Sequence, residues 1–458
     1  MSHKVKIVST IMATLMILAG CGGGSSSTTT ATTTATDGTA AKKAADTGSA
    51  NNSAANKPKE PVTIKFVTLG SGGTEPAAFK ELFEQYEKAS GNKVDLQILP
   101  DVSLYENMIK TRFATNDAPD MFYFFAGPNV NITLQAEKNL MEMTNEDYVK
   151  RLTPAVKDFY TVNGKMYGIP WGIYNAMGVL YNKKVFTDLG LSVPQNYQEL
   201  LAAAEKIKGA GITPFYEAVK TGWPTQVFPL ASFQSFVLPT IGGMEGVKKL
   251  KENTMRFTDI PELKKVFERH YELKTKGYFN SDLLSGTYEN QQEALTTGKA
   301  AMVFQADWMM PIIAQRFPDK VKDIGFFPLP SDKGPGTISL YPPKQLLVTK
   351  TSKNADAAMD LTRFLTKPES FKIWYKHNPG IPVYNGIETT LVPAQQDIYK
   401  YINDGNGIIQ IQLQLNAGVF DFDKITQELL IKGDADKAVK SMDENYRQDG
   451  KNKKIPGF

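Results

Sequence analysis

The chain has 458 residues, enough for two or three domains and more than one sizeable core. Hydrophobic residues make up 41%, aromatics 10% and charged residues 22%, the values of a globular protein rather than a disordered, fibrous or multi-pass membrane one. A net charge of +4 is too small and too scattered for a nucleic-acid partner, one cysteine excludes an intrachain disulfide framework, and three histidines leave little for metal clusters or histidine-based catalysis.

At the N-terminus Lys4 and Lys6 precede the apolar run 7–18. A bilayer span needs about 20 mostly apolar residues, so residues 1–20 read as a secretory signal peptide. The phrase Leu18-Ala19-Gly20-Cys21 resembles a bacterial lipobox, which implies cleavage before Cys21 and a lipid on it. Residues 22–61 hold 14 Ser or Thr and nine Ala among 40, with no Val, Ile, Leu, Met or aromatic residue. They can bury nothing and read, with Cys21, as a disordered linker spanning about 35 Å root-mean-square.

The body opens with the alternation Val62, Ile64, Phe66, the turn Gly70-Ser71-Gly72-Gly73, and the helical period Phe79, Leu82, Phe83, Tyr86, which Ser90-Gly91 stops. Val94, Leu96 and Ile98 alternate again, so the spacing predicts strand, helix and parallel strand, an α/β architecture. Glu75 stands where a dinucleotide fingerprint needs glycine. The turn then delivers backbone N–H groups, Thr74 and Glu75 to the carboxyl end of a strand, where open α/β sheets bind ligands; the alternative is a plain tight turn. Tyr197, Leu200, Leu201, Ala204 and Ile207 predict an amphipathic helix with a capping box at Asn196 and Glu199, and Leu263, Val266, Phe267 and Tyr271 predict another. His270 lies at the edge of that second stripe and reads as structural.

No G-x-S-x-G turn or Walker A loop is present, and Asp421-Phe422-Asp423 lacks the spacing of a calcium loop and reads as solvated surface. No metal, cofactor or catalytic residue is expected. Trp171, Trp223 and Trp308 fall on no clean amphipathic face. An indole face suits the C–H faces of a pyranose, with flanking Asp, Asn and Gln for its hydroxyls; the alternative for each is core packing. Trp374, three residues from Phe371, reads as core.

Asn163-Gly164-Lys165-Met166-Tyr167-Gly168-Ile169-Pro170-Trp171 is followed by Val179-Leu180-Tyr181-Asn182-Lys183-Lys184-Val185-Phe186, Leu189-Gly190-Leu191, Ala210-Gly211-Ile212-Thr213-Pro214 and Thr297-Gly298-Lys299-Ala300-Ala301-Met302. With Pro119-Asp120 and Gly380-Ile381-Pro382, this order resembles the family 1 extracellular solute-binding proteins over nearly all of residues 62–458. The resemblance implies two α/β lobes of the periplasmic-binding-protein kind with a ligand cleft between them: lobe 1 from 62–169 and 331–378, lobe 2 from 170–330 and 379–458, with hinges near Ile169-Pro170, Phe327-Pro328 and Pro379-Gly380. It implies a monomeric, lipid-anchored receptor on the extracellular face of the cytoplasmic membrane that hands its cargo to the permease of an ABC importer. Carried over residue by residue, it places Gly73, Thr74, Glu75 and Phe124 on the first lobe's side of the ligand. Trp171, Tyr174 and Asn175 follow at the first hinge, and Trp223, Asp307 and Trp308 on the second lobe. Leu340-Tyr341-Pro342-Pro343-Lys344 departs from the family's glycine-rich turn, so whether Tyr341 or Gln345 reaches the cleft stays open.

Aromatic platforms without clustered Tyr and His or several nearby Arg favour a neutral oligosaccharide over iron or an oligoanion. A peptide or polyamine cargo remains an alternative. So does an extracellular glycosidase or lyase with Asp307 and Glu75 as its carboxylates.

Overall fold

The computed structural model describes residues 60–70, 74–152, 154–419 and 421–458. The expected leader, Cys21, nearly all of the linker and Gly73 lie outside the described residues. The strands that frame the site are, in chain order, β1 (Thr63–Leu69), β2 (Lys93–Leu99), β3 (Met121–Phe124), β4 (Ile169–Pro170), β5 (Ile173–Asn182) and β6 (Thr213–Phe215). They continue as β7 (Ala300–Ala306), β8 (Ile324–Phe327), β9 (Ile338–Tyr341), β10 (Gln345–Val348), β11 (Ile381–Pro382) and β12 (Gly407–Ile409).

The opening unit follows its sequence pattern. β1 runs parallel to β2, and the helix Glu75–Ser90 between them lays Phe79, Leu82, Phe83 and Tyr86 over the buried Ile64 and Phe66. Pro76 fits its first turn. Gly91, at φ 76°, ends it with its N–H on the Glu87 carbonyl, a left-handed cap that glycine adopts without strain. The first sheet has the order β2-β1-β3-β10-β4. One face carries the helices Glu75–Ser90, Ala355–Leu365 and Pro368–His377; the other packs Val67, Phe122 and Leu347 under Tyr105 and Ile109.

The second sheet has the order β12-β9-β5-β7-β6, with β8 and β11 also on the ten-residue β5. Met177 and Val179 of β5 face one core, with Phe215, Phe228 and Phe304, while Ala176 and Leu180 face another, with Leu295, Ile313 and Ile398. The predicted helices are Tyr197–Gly209, with the Asn196 side-chain Oδ1 accepting from the Glu199 N–H at 2.9 Å, and Pro261–Thr275. His270 is fully buried, stacked on Phe228 at 4.6 Å. The C-terminal helix Ala435–Asn452 and the tail pack on this lobe, Phe458 meeting Tyr446 at 5.2 Å.

The chain passes between the sheets at 170–173, 341–345 and 377–381, and against the expected span 379–458 of the second lobe it returns at 383–385, where Tyr384 bridges Leu152 and packs on Phe371 in the first lobe's core. The second passage corrects the expected boundary at 330/331. β9 lies antiparallel to β5, so residues up to 341 belong to the second lobe's sheet, and Pro342-Pro343, which interrupt the ladder, carry the chain across. In the first two passages four buried tyrosine hydroxyls donate to backbone carbonyls. Tyr123 donates to the Trp171 carbonyl at 2.7 Å, Tyr160 to Pro343 at 2.5 Å, Tyr375 to Gly172 at 2.9 Å and Tyr384 to Pro170 at 2.9 Å. Burial pushes all four hydroxyls well above the usual tyrosine range, so they remain protonated donors.

Asp120 of the Pro-Asp phrase ties the first lobe together. Its carboxylate accepts from the Lys65 N–H of β1 at 2.7 Å, from the Asn354 amide at 3.1 Å and from the Ser352 hydroxyl. Asp120→Ala removes the acceptor shared by the Lys65 N–H, the Asn354 amide and the Ser352 hydroxyl, and urea unfolding should register a loss of about 2 kcal/mol; a loss under about 0.5 kcal/mol would show that the carboxylate is not a tie.

Candidate functional site

A cleft of about 970 Å³ opens between the two sheets, near the upper end of the roughly 300–1,000 Å³ usual for small-ligand sites. Its second-lobe wall is aromatic. Tyr288 meets Trp223 edge-on at 4.8 Å, Trp223 meets Trp308 at 6.0 Å, and Trp308 meets Tyr341 at 5.6 Å, so four rings form a continuous arc along the cleft. The Trp308 indole is fixed from behind: its N–H donates to Gln305 at 2.9 Å, Gln305 donates to Gln291 at 3.0 Å, and Gln291 to the Tyr216 carbonyl at 2.7 Å. Trp223 rides on a short turn, Trp223–Gln226, clamped to the helix Phe422–Lys432 by a hydroxyl contact of 2.5 Å between Thr225 and Thr426.

From β5, Ile173, Asn175 and Met177 line the cleft, every second residue as a strand requires. The Asn175 side-chain oxygen has no hydrogen-bond partner among the described residues. The first lobe supplies Tyr123, Phe124, Trp374 and the loop Thr74-Glu75. Trp374 is 1% exposed, yet it lines the floor, and its indole N–H also lacks a partner.

Both residues of that loop are engaged with the passages between lobes. Thr74 donates its hydroxyl to the Asn378 side chain, and Glu75 pairs with Lys344 at 2.6 Å. The other lysines on the cleft are likewise matched: Lys110 with Glu106 at 3.6 Å, Lys424 with Asp421 at 2.6 Å, Lys453 with Asp449 at 2.6 Å. Burial raises the Glu106 carboxyl and lowers the Lys453 ammonium from their ordinary values. Lys453 of the second lobe also hydrogen-bonds Asn129 of the first. Beside it Gly127, at φ 115°, lets the backbone approach so closely that a Cβ there would sit 2.6 Å from the Leu413 carbonyl. The lobes therefore touch at the cleft's rim as well as at the passages.

Thr74, Glu75, Phe124, Asn175, Trp223, Trp308 and Tyr341 all come together on the cleft, whereas Gln345, fully engaged with the Phe125 carbonyl at 3.0 Å, does not reach it. Phe124 is largely covered by Tyr105 and Phe125. Three expected residues are elsewhere. Trp171 is fully buried in the first lobe's core, stacked on Phe371 at 4.6 Å. Tyr174 precedes Asn175 on β5 and so points to the opposite face, toward the cores. Asp307 is fully buried behind the wall, accepting the Ala176 N–H at 2.8 Å, so it faces no ligand. Tyr123, Trp374, Tyr288 and the segment Asp421-Phe422-Asp423, read from sequence as core, unremarked or surface, lie on the cleft.

A family model for bacterial extracellular solute-binding proteins matches residues 70–370. The chain belongs to this family. A Pyrococcus horikoshii protein described as an uncharacterized ABC transporter extracellular-binding protein is 26% identical over 68% of this chain and 70% of its own length. The multiple sugar-binding protein of Streptococcus mutans is 25% identical over 73% of this chain and 78% of its own. In fold, this solute-binding protein superposes on a raffinose complex of the solute-binding protein RafE with a TM-score of 0.74, at 20% identity, over 84% of this chain and 99% of that one.

Burial raises the Asp307 carboxyl to about 7, against the ionised form's hydrogen bond from Ala176. Because the folded state holds this proton more tightly than the unfolded chain, Asp307 contributes stability that is complete below about pH 4 and is lost as pH rises through about 7. Urea unfolding at pH 5 and pH 8 should show that fall, and Asp307→Asn should flatten it; an unchanged slope in the variant would assign the pH dependence to other groups.

Proposed function

We propose that this solute-binding protein is the extracellular receptor of an ABC importer and captures an oligosaccharide in the cleft. The observation that carries the reading is the continuous ring arc Tyr288, Trp223, Trp308 and Tyr341 along the cleft, with Asn175 on the strand position paired with Tyr341. Stacked faces with a few placed acceptors and donors are what a polyhydroxylated ring needs. The sugar cargoes of the relatives support the same class.

Capture works by closure. The arc belongs to one lobe, and Tyr123, Trp374 and the Thr74-Glu75 loop to the other, so a ligand gains all its contacts only when the lobes meet; that differential affinity shifts the population toward the closed form the permease receives. The three passages at 170–173, 341–345 and 377–381 serve as hinges. Lipidation of Cys21 and the polar linker hold the receptor, as a monomer, at the outer face of the cytoplasmic membrane. No covalent step is involved: the buried Asp307 and the lysine-paired Glu75, the two carboxylates an enzyme reading would need, are unsuited to acid–base work on a bound sugar.

Thermal-shift and calorimetric titration with raffinose, stachyose, xylo- and malto-oligosaccharides, spermidine and short peptides tests this. One saccharide class should raise the midpoint and return intact on chromatography; a ligand at a hundred times its Kd adds about 2.7 kcal/mol. Trp223→Ala and Trp308→Ala should each weaken binding by about 2 kcal/mol, roughly thirtyfold, whereas Trp171→Phe should lower the melting midpoint and leave affinity alone. Shortened sugar would establish an enzyme, and a response to peptide or spermidine alone would reassign the cargo.

A further inference from the structure

The cleft carries one carboxylate that the fold leaves uncommitted. Each of its lysines is matched by an acid at 2.6 to 3.6 Å. Asp423, by contrast, accepts no side-chain hydrogen bond and forms no ion pair among the described residues, although it lines the same space. Its position is set by the backbone: the Asp423 carbonyl accepts the Thr426 hydroxyl at 2.9 Å and the Thr225 hydroxyl at 3.5 Å, which fastens it to the turn bearing Trp223. Its Oδ2 stands 3.3 Å from where a Cβ on Gly222, the residue before Trp223, would sit. A half-buried, unpaired carboxylate therefore stands at the border of an indole platform.

We propose that Asp423 is the specificity-determining residue of the cleft, accepting a pair of hydroxyls from the sugar ring stacked on Trp223 and turning away sugars that carry a carboxylate or phosphate. This deepens the oligosaccharide reading and rests on it. A carboxylate has two oxygens and accepts only, so vicinal hydroxyls satisfy it with charge-assisted hydrogen bonds. A uronate ring in the same place sets like charges against each other with no free cation to separate them, since Lys424 and Lys344 are already taken by Asp421 and Glu75. A purely structural role also exists. Asp423 is the second residue of the helix Phe422–Lys432, where an acid favours the helix end. The two roles separate experimentally, because the helix role changes stability and leaves the choice of sugar untouched.

Calorimetry of the full chain compares the tightest-binding neutral sugar among raffinose, stachyose and xylotetraose with trigalacturonate, in wild type, Asp423→Asn and Asp423→Ser, alongside melting midpoints. Wild type should prefer the neutral sugar by at least about tenfold at low salt. Asp423→Asn should weaken the neutral sugar about ten- to a hundredfold and narrow its advantage over trigalacturonate. Asp423→Ser repeats the comparison should the asparagine variant not fold, and the wild-type preference is measured without any variant. Equal wild-type affinity for trigalacturonate overturns the proposal while sparing the oligosaccharide reading. A lowered midpoint with unchanged affinities assigns Asp423 to the helix end and also overturns it. Binding of no saccharide at all removes the oligosaccharide reading and this proposal together.

Discussion

A chain that crosses between two sheets three times must leave backbone carbonyls where no strand can pair with them, and the rest of the architecture follows from how they are satisfied. Tyr123, Tyr160, Tyr375 and Tyr384, all from the first lobe's side, donate to Trp171, Pro343, Gly172 and Pro170. A hydroxyl on a rigid ring can reach a carbonyl at several angles, unlike a ladder N–H, which holds one strand against another. The first two passages thus gain hydrogen bonds without being stitched into either sheet. Trp171, buried and stacked on Phe371, anchors the first passage, and its backbone N–H donates to the Lys344 carbonyl of the second at 2.9 Å. That network is the reason a tryptophan that looks like a ligand platform in sequence is structural here.

The same passages reach the ligand loop. Thr74 bonds Asn378 at the third passage, and Glu75 bonds Lys344 at the second, with the Lys344 ammonium also over the Tyr123 ring at 5.1 Å. The carboxyl end of β1, where an open α/β sheet presents its loops, is therefore bonded to two of the three passages between the sheets. Under the proposed capture mechanism, a ligand that touches Thr74 or Glu75 competes with or adds to bonds held by these passages, which couples contact to closure.

The opening strand-helix-strand unit, the capping box at Asn196 and the helix stop at Gly91 were legible because each is fixed by neighbours in sequence. Within the site, Trp223, Trp308 and Asn175 were legible as polar or aromatic residues in loops and at a strand end. Two-residue alternation from Ile173 would have removed Tyr174 and kept Asn175. The location of residues 331–341 was not legible, since a strand's composition does not say which sheet it joins; only the pairing of Tyr341 with Asn175 decides it. Nor was the role of Asp421-Phe422-Asp423, two acids that look solvated until the Thr225–Thr426 contact folds their helix against the Trp223 turn, 198 residues away in sequence.

The unequal division of the cleft between lobes constrains how binding energy can be used. Apolar stacking surface lies on the second lobe and is present whether or not the first lobe approaches, so it supplies affinity that is nearly uniform between open and closed forms and cannot by itself drive closure. The first lobe adds the Tyr123, Phe124 and Trp374 rings and the Thr74-Glu75 loop, together with the rim contact between Lys453 and Asn129. In the proposed mechanism those contacts form only as the lobes meet. In the proposed mechanism, ring stacking on the second lobe sets how tightly a sugar is held, and its contacts with the first lobe set whether the receptor closes on it.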